Sequence, residues 1–181
     1  MSRLLYACLL CAVCWFLLTS PVAQPCSAAD TSVAEQAQAV LDATEVKGGI
    51  VVHLGCGDGK LTAALRASDS YQVQGLARDW ETVQAARKNV HDLGIYGPVS
   101  IDRLTQTKQL PYIDKLINPV VAANLDGMPM KEVLRVLVPG GVAYVQQHGH
   151  WQKTVKPWPK NIDEWTHFMH SPSINAVAQD D

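Results

Sequence analysis

Residues Ile50 to Thr62 read IVVHLGCGDGKLT. Ile50, Val51, Val52 and Leu54 make a short apolar run, and Gly55, Gly57 and Gly59 follow at once, the pattern of a buried strand entering a tight turn. Glycine serves such a turn in two ways: the chain reverses through dihedral angles that a Cβ opposes, and a ligand meets bare backbone there. The next residues, KLTAALRAS, are compatible with a helix, whose first N–H groups lack partners within the helix and face the turn. Strand, glycine turn and helix in this order open a nucleotide-binding α/β sheet.

The segments on either side continue that pattern. Ser32 to Glu45 places Val33, Ala37, Val40 and Leu41 at helical spacing, with Asp30, Thr31 and Ser32 as candidate caps. Tyr71 to Leu76 predicts a second strand, and Trp80 to Leu93 a helix with Val83, Ala86, Val90 and Leu93 in register, closed by Gly94. Val99 to Ile101 reads as a third strand. Leu116 to Ala123 reads as a fourth, in which Pro119 signals incomplete pairing. Met130 to Val138 predicts a helix, Pro139-Gly140-Gly141 a turn and Val142 to Gln146 a fifth strand. Alternating strands and helices imply right-handed crossovers and a parallel, Rossmann-like sheet.

The glycine spacing narrows the ligand. A dinucleotide fingerprint needs Gly-x-Gly-x-x-Gly, but Lys60 stands where its third glycine belongs and Gly59 comes one residue early. Gly-x-Gly-x-Gly resembles instead the S-adenosylmethionine (SAM) turn of class I methyltransferases. Two further stretches resemble that family in order and distance. Gln109-Leu110-Pro111-Tyr112 is similar to its "LPF" stretch before the fourth strand, and EVLRVLVPGGVAYV, residues 132–145, to its helix, Pro-Gly-Gly turn and fifth strand. The resemblance covers roughly residues 32–147. It implies strand order 3-2-1-4-5, SAM as cofactor, and a crevice outside the carboxyl ends of strands one and four. The residues it places around that crevice are His53, Gly55, Cys56, Gly57, Asp58, Gly59, Ala77, Asp79 and Asn124.

Several positions depart from the family. His53 replaces a commonly acidic residue two before the first glycine, and Ala77 stands at the end of the second strand, where a carboxylate usually accepts from the ribose hydroxyls. Loss of that carboxylate weakens binding by roughly 1.5–3 kcal/mol. Asp79 lies two residues further on and would reach inward only if the turn were re-aimed. Ala122-Ala123-Asn124-Leu125 lacks the Asn/Asp-Pro-Pro-Tyr signature of amino-methylating enzymes. No residue of the pattern marks a catalytic base for a methyl acceptor. The resemblance therefore implies either a SAM-dependent methyltransferase or a non-catalytic binding or spacer domain of the same fold.

The chain has 181 residues, 48% of them hydrophobic, and a formal net charge of −2, which suits one globular domain and offers no basic stripe for nucleic acid. Residues 1–28 read as a signal peptide: Arg3 gives a positive start, Leu4 to Leu18 is apolar, and Cys26-Ser27-Ala28 is a small-x-small cleavage site. A membrane anchor is the alternative, but the run is short of the ~20 residues a span needs. A lipoprotein anchor would need a better lipobox than Ala23-Gln24-Pro25. Of the five cysteines, Cys8, Cys11, Cys14 and Cys26 fall in this leader, so the exported chain keeps Cys56 alone, read as a small space-filler. Export and the absence of a membrane contact after cleavage are the expected consequences, and export separates the domain from cytosolic SAM.

Residues 29–147 are then the methyltransferase-like domain and residues 148–181 an irregular Pro- and Trp-rich tail. A complete methyltransferase sheet adds a helix and two more strands, one antiparallel, and this tail shows neither clearly. Its "DEWTHFMH" and "NAVAQDD" resemble the lead-in to the pyrroloquinoline-quinone-type β-propeller of large exported bacterial proteins, which implies a downstream propeller and a chain that is the front end of a longer protein. His148-x-His150 and His167-x-x-His170 have imidazole spacings suited to zinc or copper, but no carboxylate or thiolate is fixed beside them and no metal is expected.

Overall fold

A computed structural model of the chain describes residues 28–160, with side chains from residue 32. The expected signal peptide, apart from Ala28, lies outside the described residues, as do the propeller-like stretch and its His167 and His170. The chain divides into two compact units, Met1–Thr31 and Ser32–Asp181, and the second holds the whole sheet.

Strand β1 (Gly49–Leu54) is central, because its neighbours leave in opposite sequence directions. It pairs parallel with β2 (Tyr71–Ala77) on one side and β4 (Ile117–Ala122) on the other. Beyond β2 lies β3 (Val99–Arg103), and beyond β4 lies β5 (Leu137–Gln147), both parallel. The expected order 3-2-1-4-5 is present, extended by a sixth strand, β6 (His150–Val155), antiparallel to β5.

That sixth strand corrects the reading of residues 148–181 as irregular from their start. His148 and Gly149 have φ of 50° and 82°, and Gln147 pairs with His150 across them; two successive positive φ values make the type I′ turn whose twist suits a hairpin. The sheet thus runs on to Val155 and includes one antiparallel strand. The fifth strand also starts early. Leu137 pairs with Ile117 and Val142 with Pro119, so Val138–Gly141 bulge from the ladder, and the irregularity falls at the proline whose missing N–H predicts it.

Alternation along the strands sends side chains to two cores. Val51, Val73, Ile101 and Val121 meet helix α1 (Ala28–Thr44) and helix α3 (Trp80–Asp92) through Val40, Leu41, Val83 and Val90 on one face. Val52, Leu76, Val120 and Ala143 meet helix α4 (Met130–Val136) through Val133 and Val136 on the other. Helix α2 is short, Lys60–Ala64. Among the described residues no helix is long and apolar enough to cross a membrane.

Between β3 and β4 no helix forms, and polar ties hold the connection against the second face. Leu110 is buried, and the Tyr112 hydroxyl donates to Gln74 Oε1 at 2.9 Å. The Arg135 guanidinium donates to Glu132, to Asp114 and to the Tyr112 carbonyl, while Glu132 accepts from the Leu110 N–H at 2.8 Å. One arginine therefore joins α4 to the loop in place of a helix. Replacing Arg135→Ala is expected to lower unfolding free energy by roughly 2 kcal/mol, read from urea denaturation. A change within error would show that the loop is held without the guanidinium, by Leu110 and by the bonds of Tyr112 and Glu132.

Candidate functional site

The carboxyl ends of β1 and β4 diverge where the connections change direction, and a crevice opens there. At its edge Gly55 and Cys56 both donate N–H bonds to the Leu76 carbonyl, at 2.8 and 3.2 Å, which clamps the turn to the end of β2. Gly55, Gly57 and Gly59 have φ of 74°, 53° and 80°, the left-handed region that glycine enters without steric cost. A Cβ on Gly55 or Gly57 would meet no atom within 4 Å, whereas one on Gly59 would meet Ala86 of α3 at 3.0 Å. Gly55 and Gly57 thus border open space, and Gly59 serves packing. Asp58 is exposed; its Oδ1 accepts from Lys60 N at 3.1 Å and its carbonyl from Asn89 at 2.8 Å, so it braces the turn from outside.

Two sequence candidates turn beneath the glycines and not into the crevice. Cys56 is buried in the first core, and burial pushes its thiol up to about 11, which leaves an inert space-filler at neutral pH. His53 is 4% exposed, with Nδ1 2.8 Å from Thr62 Oγ1 in α2. Burial lowers its pKa to about 4, so the ring is neutral.

Asp79 also points elsewhere. It caps α3, accepting from Thr82 N at 2.8 Å and from Thr82 Oγ1 at 2.9 Å, and these bonds hold its carboxyl below the ordinary range. Ala77 does line the crevice, with a methyl group where the family resemblance puts a carboxylate. Asn124 lines it too, but Oδ1 is engaged by the Asp126 N–H at 3.0 Å. His148 and His150 lie exposed on the β5–β6 hairpin.

Leu54, Leu76, Leu104 and Leu125 make the crevice apolar, and the sequence reading leaves out its basic member, Arg78. The Arg78 guanidinium donates to the Asp126 carbonyl at 2.8 Å and, at 3.5 Å each, to the Gln106 and Thr107 carbonyls. The free volume left is only about 20 Å³, close to the space of one water. Pockets that take a small-molecule cofactor have about 300–1,000 Å³. The bare backbone of Gly55 and Gly57 suits a ligand's close approach; the side lined by Ala77 and Arg78 is closed, and Ala77 itself offers no side-chain acceptor for a ribose.

No protein-family model matches the chain, and no curated protein matches it in sequence. Solved structures do match in fold. A candidate S-adenosyl-L-methionine-dependent methyltransferase of Methanococcus maripaludis superposes with a TM-score of 0.57 at 19% identity, over 65% of this chain and 57% of that one. The [4+2]-cyclase SpnF gives 0.56 at 25% identity, over 62% and 43%. The geranyl diphosphate C-methyltransferase of Streptomyces coelicolor, solved with Mg²⁺, geranyl diphosphate and S-adenosyl-L-homocysteine, gives 0.55 at 16% identity, over 68% and 52%. The fold is that of the class I methyltransferases, and the chain spans about half the length of the proteins it matches.

The buried neutral imidazole has a consequence for stability. Its folded pKa of about 4 lies below the ordinary value of 6.5, so between those values the unfolded chain binds a proton that the folded chain does not. That stability is present above pH 6.5 and is lost as pH falls toward 4, by roughly 3 kcal/mol in all. His53→Gln keeps a polar partner for Thr62 without titrating. Wild-type unfolding free energy is expected to fall more steeply than the variant's over this interval, and parallel curves would remove the buried-neutral assignment.

Proposed function

We propose that this domain binds SAM at the Gly55–Gly59 turn and transfers its methyl group to an acceptor, as the class I methyltransferases do. One observation carries the reading: at the topological switch point of a methyltransferase-type sheet, two positive-φ glycines border open space where any Cβ would intrude. The backbone of Gly55 to Gly57 would hold the methionine part, and Leu54, Leu76, Ala77, Leu104 and Leu125 would enclose the adenosyl part and exclude water. Bound SAM supplies an electrophilic methyl on a sulfonium, so the protein's task is alignment of donor and acceptor.

A second reading, binding without transfer, is favoured by Ala77, whose methyl group gives the ribose hydroxyls no acceptor. In either case we place the domain outside the cytosol, on the leader-like residues 1–28, and ahead of a β-propeller, on the lead-in resemblance of the tail. Calorimetric titration with SAM and S-adenosylhomocysteine tests the shared premise. Binding tighter than about 100 μM is expected, and the absence of heat at millimolar ligand would leave the fold without the cofactor.

A further inference from the structure

The crevice is narrow for a local reason. Arg78 follows β2 directly, and its guanidinium joins the segment after β3, at Gln106 and Thr107, to the segment after β4, at Asp126. The crevice walls come from the same segments: Leu104 precedes the first pair of acceptors and Leu125 adjoins the second. Leu104 is pinned independently, its N–H donating to the Ala77 carbonyl at 2.8 Å. The movable wall is therefore the Leu125–Asp126 turn, held by its own bonds and by Arg78.

That turn is built to present its carbonyl. Asp126 and Gly127 have φ of 48° and 80°, and the turn closes on itself through Asp126 N to Asn124 Oδ1 and Met128 N to the Leu125 carbonyl, at 3.0 and 2.9 Å. Every acceptor of the guanidinium is a neutral backbone carbonyl, and two of the three bonds are long. No acceptor carries an opposite charge, and two of the three contacts lie at the long limit of a hydrogen bond, so the tie rests on the bond to Asp126 and can be released there.

We propose that Arg78 is a latch: it closes the adenosyl side of the crevice in the free protein, and ligand entry requires its release from Asp126. The proposal rests on the cofactor reading for the ligand's identity but not for the latch itself. The open fraction sets apparent affinity, because a ligand that binds only the open form binds more weakly by that fraction.

Two measurements on Arg78→Ala and on Arg78→Met, which keeps the stem and removes every donor, separate the possibilities. Amide hydrogen exchange without ligand is expected to rise about tenfold in residues 124–128 of both variants, with Leu104 unchanged; unchanged exchange at 124–128 overturns the latch. Titration with S-adenosylhomocysteine is expected to give about tenfold tighter binding in both variants than in wild type. Weaker binding in the variants makes Arg78 a ligand contact and also overturns the latch. Faster exchange with no binding in any protein upholds the latch and removes the cofactor reading alone.

Discussion

The arrangement depends on a missing methyl group under the glycine turn. A Cβ at Gly75 would lie 2.7 Å from Ile101 Cδ1, 2.9 Å from Cys56 Cβ and 3.0 Å from Thr62 Cγ2, closer than packed atoms approach without displacement. Because that space is vacant on β2, Cys56 and α2 settle directly onto the strand. The turn is then drawn to the Leu76 carbonyl by two N–H bonds, and Thr62 comes within reach of His53. The glycines at 55 and 57 adopt their shape above a floor that the glycine at 75 makes possible.

From this floor the two sides of the crevice diverge chemically. The turn side offers backbone and open space, with no side chain to remove. The β2 side offers methyls and leucines under an arginine, and the acidic groups nearest in sequence have other work: Asp79 caps a helix and Asp102 accepts from Arg87 and from its neighbour's N–H. A ligand recognised here gains mainly from apolar burial against the leucines and from close approach to the bare turn.

Much of this was legible in the sequence because it is local. The apolar run, the three glycines and the helical spacing of Val83, Ala86 and Val90 place β1, the turn and α3 without tertiary information. His53 was legible in part: it alternates with Val52 and so shares the face of Val51, on the side of α1 and α3. Asp79 carried a cap signal of its own, an aspartate immediately before the helical run that starts at Trp80. The sixth strand was hidden because nearly all of His150–Val155 is exposed, leaving no buried face to impose alternation; Gly149 is the one turn residue in the sequence that precedes it. Arg78 was not legible at all, since its partners lie 28 to 48 residues away in sequence.

Likeness of fold leaves the chemistry open, since one protein of this fold bears the name of a cyclase and others of methyltransferases, and function resides in the site. Methyl transfer from a sulfonium draws mainly on alignment, so the lack of a general base among the described residues that line the crevice weighs less than it would for a hydrolase. What decides between transfer and mere binding is whether donor and acceptor can be enclosed together. A crevice open in about one molecule in ten, the fraction at which removing Arg78 tightens binding about tenfold, would raise the apparent dissociation constant by that factor, the lower end of the loss expected from Ala77. The two effects multiply, and a site that carries both would bind its ligand only where that ligand is abundant.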